Sequence, residues 1–241
     1  MKVVRQDTAR TRKNLLMAAS VVFAEKGYHD STIAEISERA GTNIAAVNYH
    51  FGDKETLYRE AWRQSFHESI KAHPPDGGVN MNAPPEQRLA GQVAALLRRI
   101  NDNDNREFLI VNKELANPTG LLEEVMREEM RPLRRRIMAL VREIVGPGKP
   151  ETEVRFCTVS IISQCVIPAF INIVEKPGSD GENESLRIGD IEAYAEHVIN
   201  FSLTGMGAVR VSTQESGVAQ GPGPHAGDRP ENTKRKTGRA R

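Results

Sequence analysis

Between Thr42 and His50 the chain reads Thr-Asn-Ile-Ala-Ala-Val-Asn-Tyr-His, small or hydrogen-bonding everywhere except Ile44 and Val47. Asn43 and Asn48 each carry a donor and an acceptor that can pair with base edges. Ala45 and Ala46 leave room for close approach to those edges and to thymine methyls. Thr42 adds a hydroxyl, and Tyr49 and His50 can reach phosphate oxygens, contacts that position a chain on a duplex. Lys54 opens the next helical pattern, where its charge and the helix N-terminus both suit a phosphate. Thr32 offers a hydroxyl at another helix start, and Arg5, Arg10, Arg12 and Lys13 supply longer-range attraction. Tyr49 has the alternative of a core aromatic and His50 of a turn cap. Phe51 reads as core, and Arg39 as a solvated helix residue.

Other chemistries lack their residues. There is no Gly-x-Ser-x-Gly nucleophile elbow, no glycine loop to cradle a phosphate and no zinc-type His/Cys spacing. The 6 histidines are scattered. An enzyme is therefore not expected, nor a metal or cofactor. A net charge of +1 means that any nucleic-acid contact must come from local arrangement rather than overall charge.

The elements that would position the run are short helices. Leu15, Leu16, Ala19, Val22 and Phe23 recur at helical spacing from about Thr11 to Glu25, after a polar arm over residues 1–8, and Gly27 supplies the stop. Ser31-Thr32 with Glu35 makes a capping box for a helix carrying Ile33, Ile36 and Ala40. Ala40-Gly41 would let this helix cross the next one closely. Ile44 and Val47 would anchor the next helix, from Ile44 to about Tyr49, against Ile36 and Phe23. Asp53 and Thr56 can cap a longer helix reaching about Ala72. Three short helices joined by a glycine-centred turn describe a helix-turn-helix unit.

The Pro-, Gly- and Asn-rich stretch from His73 to Pro85 reads as a flexible connection. Helical patterns resume over about 86–101, 105–116 and 120–145, with Pro132 expected to break or kink the last. A strongly apolar helix follows over about 151–175, then a polar loop from Lys176 to Arg187 and a helix from about Ile188 to Gly205. No strand is required, so the fold class expected is all-α. Three domains follow: 1–55 for the arm and helix-turn-helix, 56–210 for a helical bundle, and 211–241 for a disordered Gly/Pro-rich tail with a basic end. No apolar run approaches the length of a membrane span, because Ser163, Gln164 and Pro168 interrupt the best candidate. No membrane partner is expected. Cys157 and Cys165 lie eight apart on one helix, about 12 Å between Cα atoms, and read as free thiols in a reducing cytoplasm.

The run Thr32–Gly41, followed by Tyr49-His50-Phe51-Gly52-Asp53-Lys54-Glu55-Thr56-Leu57-Tyr58, resembles the DNA-binding signature of the TetR family of transcriptional regulators. Asn43 to Gly52 is similar to its CecR-like subgroup, and Lys113-Glu114-Leu115-Ala116-Asn117-Pro118-Thr119 continues the likeness more weakly. The resemblance implies a cytoplasmic homodimer on a palindromic double-stranded operator, usually a repressor, with a helical ligand-binding and dimerisation domain. The effector would be an unknown small molecule. Phe108, Asn112, Cys157, Gln164, Cys165 and Phe170 interrupt apolar helices and could line its cavity; equally, they fit as satisfied core positions. The last two helices, with Ile191, Tyr194, Ala195, Val198, Ile199 and Leu203, are the expected dimer interface. Arg131, Arg134, Arg135 and Arg136 read as a solvated, ion-paired face.

Overall fold

Leu15, Leu16, Ala19, Val22 and Phe23 are all buried, on one face of a helix that runs from Lys2 to Lys26 (α1). The computed structural model describes residues 2–102, 104–175 and 185–216. Helix α1 thus begins well before Thr11, and the arm expected over residues 1–8 is helical from Lys2. The Thr11 hydroxyl donates to the Asp7 carbonyl at 2.9 Å and Arg10 pairs with Asp7 at 3.1 Å, which holds that first stretch.

Among the described residues eight further helices follow: α2 (Ile33–Arg39), α3 (Ile44–Phe51), α4 (Lys54–Ala72), α5 (Pro85–Ile100), α6 (Arg106–Ala116), α7 (Glu123–Val145), α8 (Glu151–Val174) and α9 (Ile191–Ser216). Among the described residues all regular structure is helical. Helix α9 extends past Gly205 and Val211, so the start expected for the tail is helix; residues 217–241 lie outside the described residues, as does most of the polar loop expected from Lys176.

Two hydrophobic cores build the molecule. The first joins α1 to α4 and takes in Ile110 of α6 and Leu122 and Val125 near the start of α7. The second is made by α5, α7, α8 and α9 around Val93, Leu97, Val141, Ile161 and Val198. Helix α4 serves both halves, because it packs on α1 and α3 and also on α5, α6 and α7. The boundary expected at 55/56 therefore falls within one continuous core.

The segment after His73 is not a loose connection. A Cβ on Gly77, whose φ is +61°, would lie 2.3 Å from the Gly91 carbonyl oxygen, so the loop backbone is seated directly on α5. The His73 imidazole also hydrogen-bonds Asp102 at 2.8 Å.

Neither internal proline breaks its helix. Pro132 is exposed in the middle of α7, and the carbonyl it deprives, that of Glu128 one turn earlier, belongs to an exposed residue and can turn to water. Pro168 is buried in α8, where the deprived carbonyl belongs to Gln164. The Tyr194 hydroxyl of α9 donates to it at 3.1 Å and closes the gap. Helix α8 is accordingly unbroken and, by length and composition, apolar enough to cross a membrane, contrary to the expectation from its polar interruptions. Only 28% of its most apolar window is buried within the chain. Phe156 (66% exposed), Val159, Ile167 and Val174 of α8 stay open beside Phe201 (63% exposed) and Val211 of α9.

Candidate nucleic-acid interface and effector cavity

Helix α3 is held by two side chains one turn apart, Val47 (fully buried) and Phe51. The Arg12 guanidinium lies 5.1 Å from the Phe51 ring centroid and pairs with Glu60 of α4 at 3.1 Å, so the end of α3 is clamped between α1 and α4. That anchoring turns Ile44, Ala45, Asn48 and Tyr49 to the outside. Among the described residues, the Asn48 and Tyr49 side chains make no hydrogen bond within the chain, and Tyr49 is 78% exposed. A rigid helix thus presents a small, polar and aromatic face with nothing of its own to satisfy it.

The turn before α3 runs through Gly41 at φ +66°, with Thr42 N–H donating to the Ser37 carbonyl at 2.9 Å. An added Cβ on Gly41 would meet nothing within 4 Å, so glycine serves the left-handed backbone there and not a close helix crossing, as the sequence suggested. Asn43 is the N-cap of α3: its side-chain oxygen accepts from Ala46 N–H at 3.0 Å, which commits that oxygen to the helix end and leaves the amide NH2 for an outside partner. Ile44, expected as an anchor, is 51% exposed and belongs to the outward face. Its spacing of three from Val47 and seven from Phe51 puts it in helical phase with both, so the period gave no warning; it is open because it stands at the first position of α3, directly after the N-cap. Thr42, Ala46 and His50 flank the face and are half-buried, and the His50 ring packs edge-on to Tyr49 at 5.0 Å.

Thr32 caps α2 by accepting from Glu35 N–H at 3.1 Å, the first half of the expected capping box. The Glu35 carboxylate instead pairs with Lys26 at 2.6 Å. Arg39 is engaged by both oxygens of Glu25, as a solvated helix residue would be.

Lys54 differs most from its expected role. Its ammonium donates to the Tyr28 carbonyl at 2.5 Å and to the Ser31 carbonyl at 2.6 Å, and sits 4.3 Å from the Tyr28 ring centroid. Burial lowers its pKa, with Asp30 opposing. A cation at the first position of α4 opposes the helix dipole; the carbonyls of the α1–α2 connection compensate by holding that charge. Next to it, Asp53 caps α4 through Thr56 N–H at 2.7 Å, and that bond holds the carboxyl below its ordinary pKa.

Helix α4 is tied to α6 and to the loop that follows it. Glu114 accepts from the Tyr58 hydroxyl of α4 at 3.0 Å and from the backbone N–H groups of Thr119 and Gly120, each at 2.9 Å. Burial, and next the Glu114 carboxylate, push the Tyr58 hydroxyl above its usual pKa. A Cβ on Gly27 would come 3.3 Å from Cβ of Lys113, so the end of α1 rests on α6. No sequence period singles out Glu114; its role exists only once α4 and the loop after α6 converge.

The opposite side of α6 lines a cavity of about 440 Å3 whose walls include Trp62, Phe108, Val111, Met126, Met130 and Phe170. Phe108 and Phe170 meet edge-on at 5.3 Å. Of the six residues offered from sequence, these two line it. Asn112, Cys157, Gln164 and Cys165 do not: Cys165 is in the second core, where burial pushes its thiol up to about 12, and Gln164 faces α9, where its amide reaches Ser202 at 3.5 Å. Sequence reasoning missed Arg99 and Glu107, an ion pair on the cavity wall only 6% and 5% exposed. Their spacing of eight looks like an ordinary surface pattern until α5 and α6 fold together. Burial holds the Glu107 carboxyl above its ordinary range, against the pull of Arg99. A larger cleft of about 730 Å3 with a mixed polar and apolar lining lies under the 76–82 loop, where Arg88 and Glu143 already pair at 2.6 Å. Among the described residues, no His, Cys, Asp and Glu group could hold a metal.

The profile of bacterial regulatory proteins of the tetR family matches residues 15–61, and that of the C-terminal domain of the HTH-type transcriptional dual regulator CecR matches residues 85–206. The chain is 26% identical over 165 residues to the HTH-type transcriptional dual regulator CecR of Shigella flexneri, covering 64% of this chain and 74% of the relative. It is 28% identical over 134 residues to an Escherichia coli protein described as "Probable acrEF/envCD operon repressor", covering 54% of this chain and 60% of that one. In fold it is similar to the transcriptional regulator FadR from Bacillus subtilis, solved with stearoyl-CoA. The TM-score is 0.61 at 18% identity, over 80% of this chain and 98% of FadR. The chain belongs to the TetR family of bacterial regulatory proteins, with a C-terminal domain of the CecR type.

Proposed function

We propose that this protein is a cytoplasmic, effector-responsive repressor that binds a palindromic operator as a homodimer. The observation that carries the reading is the outward face of α3, anchored by Val47 and Phe51, where the Asn48 and Tyr49 side chains make no hydrogen bond among the described residues. In a duplex major groove that face gives two amide or hydroxyl groups for base edges and two apolar contacts, Ile44 and Ala45, for thymine methyls. Thr32 and Thr42 lie beside it for phosphates, together with His50 and the N-terminus of α4. Asn43 contributes its amide NH2 after capping, Ala46 leaves clearance, and Lys54 fixes the approach of α4.

The dimer is supported by α8 and α9. Phe156, Val159, Ile167 and Val174 of α8 are open apolar residues, and on α9 the stripe His197, Phe201, Thr204, Ala208 and Val211 is exposed at helical spacing; Ala195 and Val198, expected at the interface, are instead buried in the second core, with Ile191, Tyr194, Ile199 and Leu203 packed against it. Gly205 and Gly207 sit inside α9 with open space around them, where glycine costs about 1 kcal/mol each unless a second backbone approaches closely. A symmetric partner there would set two α3 helices at a fixed separation. An effector in the cavity of about 440 Å3 would act on α6, whose other side carries α1 and α4, and so on the separation of the recognition helices. Only a ligand with different affinity for the two arrangements can shift them.

Mobility-shift and footprinting assays with the chain's own upstream region, together with sedimentation analysis, test the reading. Expected are a dimer and two protected half-sites about one helical turn, ~34 Å, apart. A strictly monomeric protein that retains no DNA fragment would refute it.

A further inference from the structure

We infer that the cavity beneath α6 takes an apolar molecule bearing a hydrogen-bond-donating hydroxyl or amine head, received by Glu107, and that it selects against a free carboxylate. The inference rests on the effector reading of this cavity and adds the polarity of its ligand.

Two residues of the cavity wall each hold a buried polar atom with no hydrogen-bond partner among the described residues, set just behind the apolar lining. Glu107 gives one carboxylate oxygen, Oε1, to Arg99, while its second, Oε2, is buried with no hydrogen bond. The Trp62 indole Nε1–H is likewise buried and unpaired on the same wall. Unsatisfied buried groups of this kind are rare in native folds and costly where they occur. The rest of the lining is almost wholly apolar; the nearest polar side chain, Asn105, pulls the Glu107 pKa down but is engaged with the Arg99 carbonyl at 2.6 Å and with Phe108 N–H at 3.1 Å. A ligand head that donates to Glu107 Oε2, once the carboxyl turns toward the lumen, removes one deficit; a hydroxyl also has a lone pair for an N–H donor such as that of Trp62, whereas an alkylammonium brings donors only.

A carboxylate head fares worse. Arg99 is already committed to Glu107, and its guanidinium also lies 5.4 Å from the Phe66 ring centroid, which fixes its place. Asn105 holds the backbone at that corner, donating to the Arg99 carbonyl at 2.6 Å while capping α6 through Phe108 N–H at 3.1 Å. A second anion would meet the Glu107 charge in a low-dielectric site. The other charged lining residue, Arg134, is exposed at the mouth, where water and salt screen it.

Trp62 is the only tryptophan of the chain, so its fluorescence reads occupancy directly. Full-length protein is titrated with 1-decanol, decylamine and sodium decanoate, three heads on one apolar body. Decanol and decylamine should each saturate the signal at about tenfold lower concentration than decanoate, the equivalent of one well-made hydrogen bond. Glu107→Gln should abolish that order. The paired replacement Arg99→Met with Glu107→Met removes both charges at similar volume, a change buried ion pairs tolerate; it should keep decanol binding within about threefold of its affinity for decylamine and decanoate.

Decanoate binding as tightly as decylamine or more so would mean that a ligand carboxylate takes Arg99, and would overturn the inference. An unchanged order in both variants would overturn it as well. Equal affinity for all three probes would overturn the head-group assignment and leave the effector reading standing. No saturable change with any of them would overturn both.

Discussion

Replacing Lys54 with methionine separates two roles that one position could play. Its ammonium donates to the Tyr28 and Ser31 carbonyls at 2.5 and 2.6 Å and lies over the Tyr28 ring. A fully buried charge-assisted hydrogen bond contributes about 1.5 to 3 kcal/mol. Lys54 is half-buried, so water can take over part of each bond on truncation, and the lower end applies. With the cation–π contact, at about 0.5 kcal/mol, Lys54→Met should cost roughly 2 to 3 kcal/mol. Methionine keeps the length of the apolar stem, so the loss is confined to the ammonium. Urea unfolding followed by Trp62 fluorescence reads it, since Trp62 sits in the same core as Tyr28 and Tyr58. Operator binding over a salt series reads the alternative. A direct phosphate contact would lower the slope of log affinity against log salt by about 0.9, whereas a positioning residue weakens binding and leaves the slope. Unchanged stability with a slope reduced by about one would refute the reasoning and return Lys54 to the phosphate backbone.

Tyr49→Ala and Asn48→Ala remove exposed side chains that make no hydrogen bond among the described residues, Tyr49 meeting the His50 ring edge-on. Each should leave thermal stability within about 0.5 kcal/mol while weakening operator binding about tenfold or more, Asn48→Ala with altered base preference in a binding-site selection. A loss of stability equal to the loss of affinity would show that the face is structural. Tyr194→Phe strands the Gln164 carbonyl that Pro168 leaves open, and should cost about 1 to 3 kcal/mol. In a double-mutant cycle Pro168→Ala, which restores an N–H one turn along, should make Tyr194→Phe nearly neutral; strict additivity would refute the pairing. Asp53 has a folded pKa lowered from 3.8 by its bond to Thr56 N–H, so its contribution is fully present above that value and lost as pH falls through the lowered one. The stability gap between the parent and Asp53→Asn should therefore shrink below pH 3.8, and a gap independent of pH there would show that the charge of the cap is irrelevant.

Much of the recognition unit is legible in sequence because its determinants are local. Thr32, Asn43 and Asp53 each cap the helix that follows, Gly41 and Gly52 take left-handed backbone, and Val47 and Phe51 fall one turn apart on the buried side. Spacing of this kind fixes which face of α3 points outward to within one residue, and Ile44 is that residue.

The linear chain thus determines the helices, their caps and the kind of surface α3 offers, since these depend on neighbours within about one turn. Tertiary structure decides where charge and polarity end up. It turns Lys54 inward to two carbonyls and makes Glu114 the tie between α4 and the loop after α6. It also buries Arg99 with Glu107 on a cavity wall and lets Tyr194 answer a carbonyl thirty residues away. Each of these partners is supplied by another helix, and a polar group's role is set by whichever donor or acceptor packing brings within about 3 Å of it.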